Sequence, residues 1–439
     1  MANRIIRFRF TLVFALTIFF IGCGNNANQN SGIQYFKLDG LNRLLQTVAS
    51  GSRTAYIHSA LTKDGQLAPP NECGVGSLED FSGAARLYLR CVEIRSDSSS
   101  WRKAQRLLQT VLSLQKPDGL FFNWINATGQ PVLCNHDNAN SFGYPEVRAL
   151  WALAAGAKNF EQRDRAFAQK LHAAFWRSFA HVDSCLRHYG KFYEKDGRRF
   201  PQWLPFRSGA DAASVLILAF DAISKSSLND LQQTPRLEQA MQQLAEGIQK
   251  MQAGEAEQFP FGAHLAFETY WHSWDNFAMQ ALAIAGEKFN RQDFIESAML
   301  EADHFVPYLQ EIQFAHRFNL LETQKNPNRL DYFPQTAADI RPLIAGLLEL
   351  SRVTGNRRYA RRAGEIARWF RGENKAHEAI YIEKLGLARE FIQGHNYVTP
   401  TFSAAATVEA LLAILEVENN SDARSEFYVK IENVLEEKP

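Results

Sequence analysis

Six strongly apolar segments recur along the chain, at 80–95, 144–157, 209–223, 271–286, 336–350 and 402–417, with starts roughly 64 residues apart. A unit of that length cannot bury its own apolar face, so successive units have to stack on one another. Each apolar segment is followed by a more amphipathic one, at 101–114, 160–179, 236–251, 291–309, 357–370 and 423–435. In the first of these, Trp101, Ala104, Leu107, Leu108, Val111 and Leu114 share one helical face, while Arg102, Lys103 and Arg106 take the other. The run Ala212-Ala213-Ser214-Val215-Leu216-Ile217-Leu218-Ala219-Phe220 is instead apolar nearly all round and needs burial on most of its circumference. Six buried helices alternating with six half-buried ones predict an all-α fold of two concentric rings. This is an (α/α)6 barrel, or toroid, of six helical hairpins.

The connections are unequal. Links from a buried helix to its amphipathic partner are mostly short, whereas the returns at 116–143, 181–208, 252–270, 311–335 and 372–401 are long. In an antiparallel ring all the returns emerge on one face, at the N-termini of the inner helices. Long loops within a compact domain are usually functional. The helix N-termini also turn free N–H groups and partial positive charge into that face, which suits carboxylates and hydroxyl-rich ligands.

These returns collect flat rings and ionisable groups, the inventory of sugar chemistry. Aromatic faces stack on pyranose rings, while paired carboxylates serve as acid and base on a glycosidic bond. Trp124, Tyr144, Trp203, Arg207, His264, Tyr270, Trp271, His272 and Trp274 are the candidate substrate-binding residues, and Asp275, Glu268 and Asp137 the candidate catalytic carboxylates. The densest stretch runs from His264 to Asp275, where the fourth inner helix is expected to begin. Asp275 there reads either as a general acid or base or as a helix cap. His136, His264 and His272 lack the close spacing of a zinc motif, so neither a metal nor another cofactor is expected.

The N-terminus fixes the expected compartment. Arg4, Arg7 and Arg9 precede an apolar run too short to span a bilayer comfortably, which reads as a signal peptide over 1–22. Phe20-Ile21-Gly22-Cys23 resembles the lipobox of bacterial lipoproteins, which implies acylation of Cys23 and a membrane anchor. A polar tether then leads to the toroid, giving expected divisions of 1–22, 23–38 and 39–439. Gly24 after the cysteine implies outer-membrane sorting in a Gram-negative host. With 48 Lys and Arg against 47 Asp and Glu, the net charge of +1 points away from nucleic acid. Besides Cys23, the cysteines Cys73, Cys91, Cys134 and Cys185 allow up to two disulfides in three pairings, or buried free thiols.

Local motifs narrow the class. Asp118-Gly119-Leu120-Phe121-Phe122-Asn123-Trp124 followed by Arg148-Ala149-Leu150-Trp151-Ala152-Leu153, then Trp369-Phe370-Arg371-Gly372-Glu373-Asn374, and finally Ser403-Ala404-Ala405-Ala406-Thr407-Val408-Glu409-Ala410-Leu411-Leu412, resemble stretches of bacterial members of the six-hairpin glycosidase-like superfamily. The chain departs from them at Gly143-Tyr144, where relatives often carry Glu-Asp, and at Ala405, where they carry a glutamate. The resemblance implies a carbohydrate-active protein with an oligo- or polysaccharide substrate. A glycoside hydrolase is the first expectation, although related toroids include sugar epimerases as well as polysaccharide lyases, so fold alone does not choose the reaction. A polysaccharide lyase using Tyr270, His264, His272 and Arg207 is the second, and a non-catalytic glycan-binding lipoprotein is the third.

Overall fold

The structure is a computed structural model that describes residues 35–48, 54–134, 141–326 and 329–430. The expected twelve helices are present. The inner set is α1 (Leu78–Arg95), α3 (Tyr144–Phe160), α5 (Ala210–Ser224), α7 (Ala278–Phe289), α9 (Ala337–Thr354) and α11 (Ala404–Asn419). The outer set is α2 (Ser98–Leu114), α4 (Arg165–Leu186), α6 (Gln233–Lys250), α8 (Gln292–Leu300), α10 (Arg357–Ala367) and α12 (Ser421–Phe427). A single π-turn, Glu301–Phe305, carries α8 on into Val306–Glu311. Each inner helix packs on the next, and α11 packs back on α1, so the ring is closed. The chain has the (α/α)6 toroid fold.

Local chemistry starts and stops these helices. Ser77 caps α1 and Thr336 caps α9, each in a reciprocal capping box with an aspartate three residues on. Asp164 and Ser403 cap α4 and α11 by accepting third-residue amides. Left-handed residues Ser96, Asn290 and Gly355 end α1, α7 and α9 and turn the chain into the short links. In α5 every residue from Ala210 to Phe220 is buried, which stabilises the fold by about 1.5–3 kcal/mol for each large side chain. The outer ring is tightest where α10 meets α12. A Cβ added at Gly364 would collide with the Ala423 carbonyl, so Gly364→Ala is expected to force these helices apart.

Two boundaries differ from expectation, and in one the last outer helix, expected over 423–435, ends at Phe427. The fourth inner helix starts at Ala278 rather than Trp271, because Tyr270–His272 forms a strand that pairs with Arg317–Asn319 of the next return. The long returns carry short hairpins of this kind, including Phe192–Lys195 with Arg198–Pro201 and Gln252–Glu255 with Gln258–His264. The folded body begins at Tyr35, whose amide donates to Glu418 Oε1 at 2.6 Å. Ala60–Leu61 pairs with Phe402–Ser403 just ahead of α11, which ties the two ends of the chain together where the ring closes. Cys73 is bonded to Cys134, while Cys91 and Cys185 are free thiols. No helix among the described residues is long and apolar enough to cross a membrane.

Candidate active site

A cavity of about 250 Å³ opens on the long-return face, at the N-terminal ends of the inner helices. Its lining comes from the first two turns of α1 (Glu79, Asp80), α3 (Arg148), α9 (Ala338) and α11 (Ala405, Glu409), with Trp274, Asp275 and His316 from the returns. The antiparallel ring is what gathers residues so far apart in sequence onto one spot.

A buried ion network forms its floor. Arg148 Nε donates to Asp275 Oδ2 at 3.1 Å and its Nη2 bonds Oδ1, while Nη1 reaches Glu409 Oε1 at 2.9 Å. The other oxygen of Glu409 accepts from Arg341 Nη1 at 2.7 Å. Burial works against both charges, but Arg341, Arg148 and Arg86 outweigh it at Glu409 and hold that carboxyl at about 2. Asp275, Glu409 and Glu79 likewise raise Arg148 well above the usual arginine range despite its burial. Asp275 sits at a φ of 57°, a left-handed conformation that a non-glycine residue keeps only when its surroundings fix it. It does not cap the helix. Its backbone carbonyl, not its side chain, accepts the Phe277 amide at 3.0 Å.

Glu79 is the opposite kind of carboxyl. Burial, then the nearby Asp275, Asp80 and Glu409, raise its proton affinity against the pull of Arg148, to a pKa of about 7. Its side chain still opens on the cavity. Asp80 beside it has structural partners: the Ser77 hydroxyl at 2.8 Å, the Ser59 hydroxyl at 3.0 Å and the Ser77 amide at 3.4 Å.

Two histidines flank this group. Trp274 stacks on His272 with ring centroids 3.7 Å apart and on His316 at 4.3 Å. His272 has both ring nitrogens engaged, Nε2 with Asp211 Oδ2 at 3.0 Å and Nδ1 with the Trp274 carbonyl at 2.9 Å. His316 bonds Asp339 through Nδ1 at 3.2 Å, and its ring lines the cavity. Asp211 and Asp339, in the first turns of α5 and α9, therefore orient histidines as well as complement the helix dipoles.

The other residues singled out from sequence are spread around the face. Glu268 bonds Lys195 Nζ and accepts from the Tyr193 hydroxyl at 3.2 Å, while Arg207 lies 4.2 Å above the Tyr193 ring. Together they form a rim cluster beside the cavity rather than part of its lining. Tyr270 is exposed. Trp271 is buried against Phe318, and Trp203 is buried with its indole donating to the Gln243 carbonyl at 2.8 Å. His264 is fully buried between Glu301 and Ser297, facing the outer ring. Trp124 pairs with Ser77 in a strand ladder, and Tyr144 stacks on Phe206. Asp137 and Cys23 lie outside the described residues. Glu79, Asp80 and Arg341 were not legible as site residues, because each looks like an ordinary charged residue on an inner helix, and Glu409 was visible only inside the 403–412 motif. Arg148 was visible only inside the Arg148-Ala149-Leu150-Trp151 motif.

No family model and no curated protein sequence matches the chain. Solved structures do. Cellobiose 2-epimerase from Bacillus thermoamylovorans is similar with a TM-score of 0.60 at 8% identity, covering 87% of this chain and 96% of its own. D-mannose isomerase gives 0.58 at 12% identity, covering 86% and 95%. The α-mannanase of Bacteroides thetaiotaomicron gives 0.50 at 10% identity, covering 87% and 93%. Likeness at such low identity establishes architecture, and by that measure the chain is an (α/α)6 toroid.

Proposed function

We propose that this protein is a carbohydrate-active enzyme, and that its reaction is hydrolysis of a glycosidic bond at the long-return face. The observation that carries the reading is the contrast between two carboxyls lining one cavity: Glu79 at a pKa of about 7, and Asp275 ion-paired to Arg148. A carboxyl that holds its proton, sharing a cavity with one ion-paired to an arginine, is the pattern of an acid and its opposing base or nucleophile. Glu79 gives its proton to the glycosidic oxygen as the bond to the anomeric carbon breaks. Asp275 accepts a proton from the attacking water, or attacks the anomeric carbon itself, and the anomeric configuration of the product distinguishes the two. The cavity of about 250 Å³ is below the usual 300–1,000 Å³ of a small-molecule pocket, which favours a single sugar ring at the reacting position over a buried polymer chain.

Epimerisation or isomerisation next to a sugar carbonyl is the second reading, favoured by the His316–Asp339 pair. Asp339 binds Nδ1 of His316, so Nε2 is the nitrogen available to take a carbon-bound proton in the cavity. The names of the similar epimerase and isomerase fit this reading, and that of the mannanase fits hydrolysis.

We also infer, from the lipobox-like Phe20-Ile21-Gly22-Cys23, that the enzyme is anchored to the cell envelope through an acylated Cys23 and works there on oligo- or polysaccharide. Purified mature protein should be incubated with disaccharides and with envelope, plant and algal polysaccharides. New reducing ends without near-ultraviolet absorbance are expected. Unsaturated uronates would point to a lyase, C2-inverted sugars to the second reading, and binding without turnover to a glycan-binding protein.

A further inference from the structure

The opposite end of the barrel holds a larger cavity, of about 1010 Å³. All six inner helices line it, mostly from their middles to their C-terminal ends, and the lining positions recur three or four residues apart, as in Arg86, Arg90 and Glu93 of α1 or Arg341, Ala345, Leu348 and Arg352 of α9. The inner helices are thus apolar around most of their circumference but polar along one axial stripe near this end.

Its floor carries a buried cation that no carboxylate bonds directly among the described residues. Arg86 is 4% exposed and lies 3.2 Å over the Trp151 ring. Its Nη2 is buried without a hydrogen-bond partner. The neighbouring arginines have theirs: Arg148 is paired with Asp275 and Glu409, and Arg341 with Glu409. Glu409 and Glu416 act on Arg86 only through space, without a bond to it. Burial, followed by the charge of Arg341, pushes Arg86 well below the usual arginine range. A buried guanidinium in this state is costly until an anion joins it. The same cavity contains a second orphan of opposite sense, the carbonyl oxygen of the Gln280 side chain, buried without a donor.

We infer that this axial cavity is a second ligand site, separate from the mouth, for a small hydroxyl-bearing organic anion such as a sugar acid or sugar phosphate. Its carboxylate or phosphate oxygen accepts from Arg86, a hydroxyl donates to Gln280, and the volume admits a molecule of drug size. Seven lysines and arginines line the cavity against five carboxylates, a positive excess to which exposed Lys158 contributes.

The test is calorimetric titration of the mature protein with glucuronate, glucose 6-phosphate and glucose at constant ionic strength. At least one anion is expected to bind saturably and at least about tenfold more tightly than glucose. Arg86→Met, which removes an unpaired buried charge, should weaken that anion at least about tenfold, and Gln280→Met should weaken it severalfold while leaving the guanidinium in place. Glu79→Gln should leave the affinity unchanged, which separates this site from the mouth. Absence of saturable binding by either anion, equal affinity for glucose, or full affinity in Gln280→Met together with a folded Arg86→Met would each overturn the inference.

Discussion

Arg148 holds Asp275 with two guanidinium nitrogens, so the carboxylate before α7 is fixed from the second turn of α3, across the barrel mouth. Asp275→Asn keeps the shape of this contact but removes its charge. Breaking a buried pair typically costs about 3–5 kcal/mol, and the amide's remaining hydrogen bond should place this variant at the lower end. Turnover should fall by about 10²-fold or more. Denaturant unfolding alongside turnover checks both, and a variant of unchanged stability would remove the ion pair from the explanation.

Glu79 ties stability to pH. Its folded pKa of about 7 lies above the ordinary glutamate value of 4.5, so the folded state binds more protons between those values. Its contribution is complete below about pH 4.5 and is lost as pH rises through about 7, for at most about 3 kcal/mol. Glu79→Gln should flatten that part of the stability profile and be the more stable protein at pH 8. If Glu79 is the acid, wild-type turnover should also decline above about pH 7.

His316 separates the two proposed reactions. In hydrolysis the ring helps position Trp274, and His316→Gln should cost no more than about tenfold in turnover. In epimerisation it moves the proton, and the same change should cost about 10²-fold or more, with the wild type washing solvent deuterium into the sugar at C2. Mass spectrometry of product formed in heavy water reads the difference.

The cysteines give a count. Under denaturing, non-reducing conditions the domain should titrate two thiols, Cys91 and Cys185, and two more after reduction of Cys73–Cys134. In the native state Cys91 should react slowly, since burial raises its thiol to about 12. Reducing a bond that spans 61 residues should lower stability by roughly 2–4 kcal/mol.

The ring was legible because inner helices of a toroid have to be apolar nearly all round, as the run from Ala212 to Phe220 is, and because such runs recur at a fixed period. The start of α7 was not. Trp271 extends the apolar period backwards, and its strand partner Phe318 lies in another return, beyond the reach of local pattern. The same limit applied to chemistry. Asp275 stood out because it lies among aromatics in one stretch, whereas Glu79 and Glu409 meet Arg148 only after the ring closes. Glu79 also sits in a first turn beside the capping Asp80, where an acidic residue ordinarily complements the helix dipole.

The most direct measurement compares Glu79→Gln with wild type on two substrates of the same sugar, one with an alkyl or sugar leaving group and one with a dinitrophenyl group that departs without protonation. If Glu79 is the general acid, the variant should lose about 10²-fold or more on the first and retain most of its turnover on the second. Wild-type turnover by a folded Glu79→Gln protein on the poor leaving group would contradict the assignment of Glu79 and, with it, hydrolysis at this cavity.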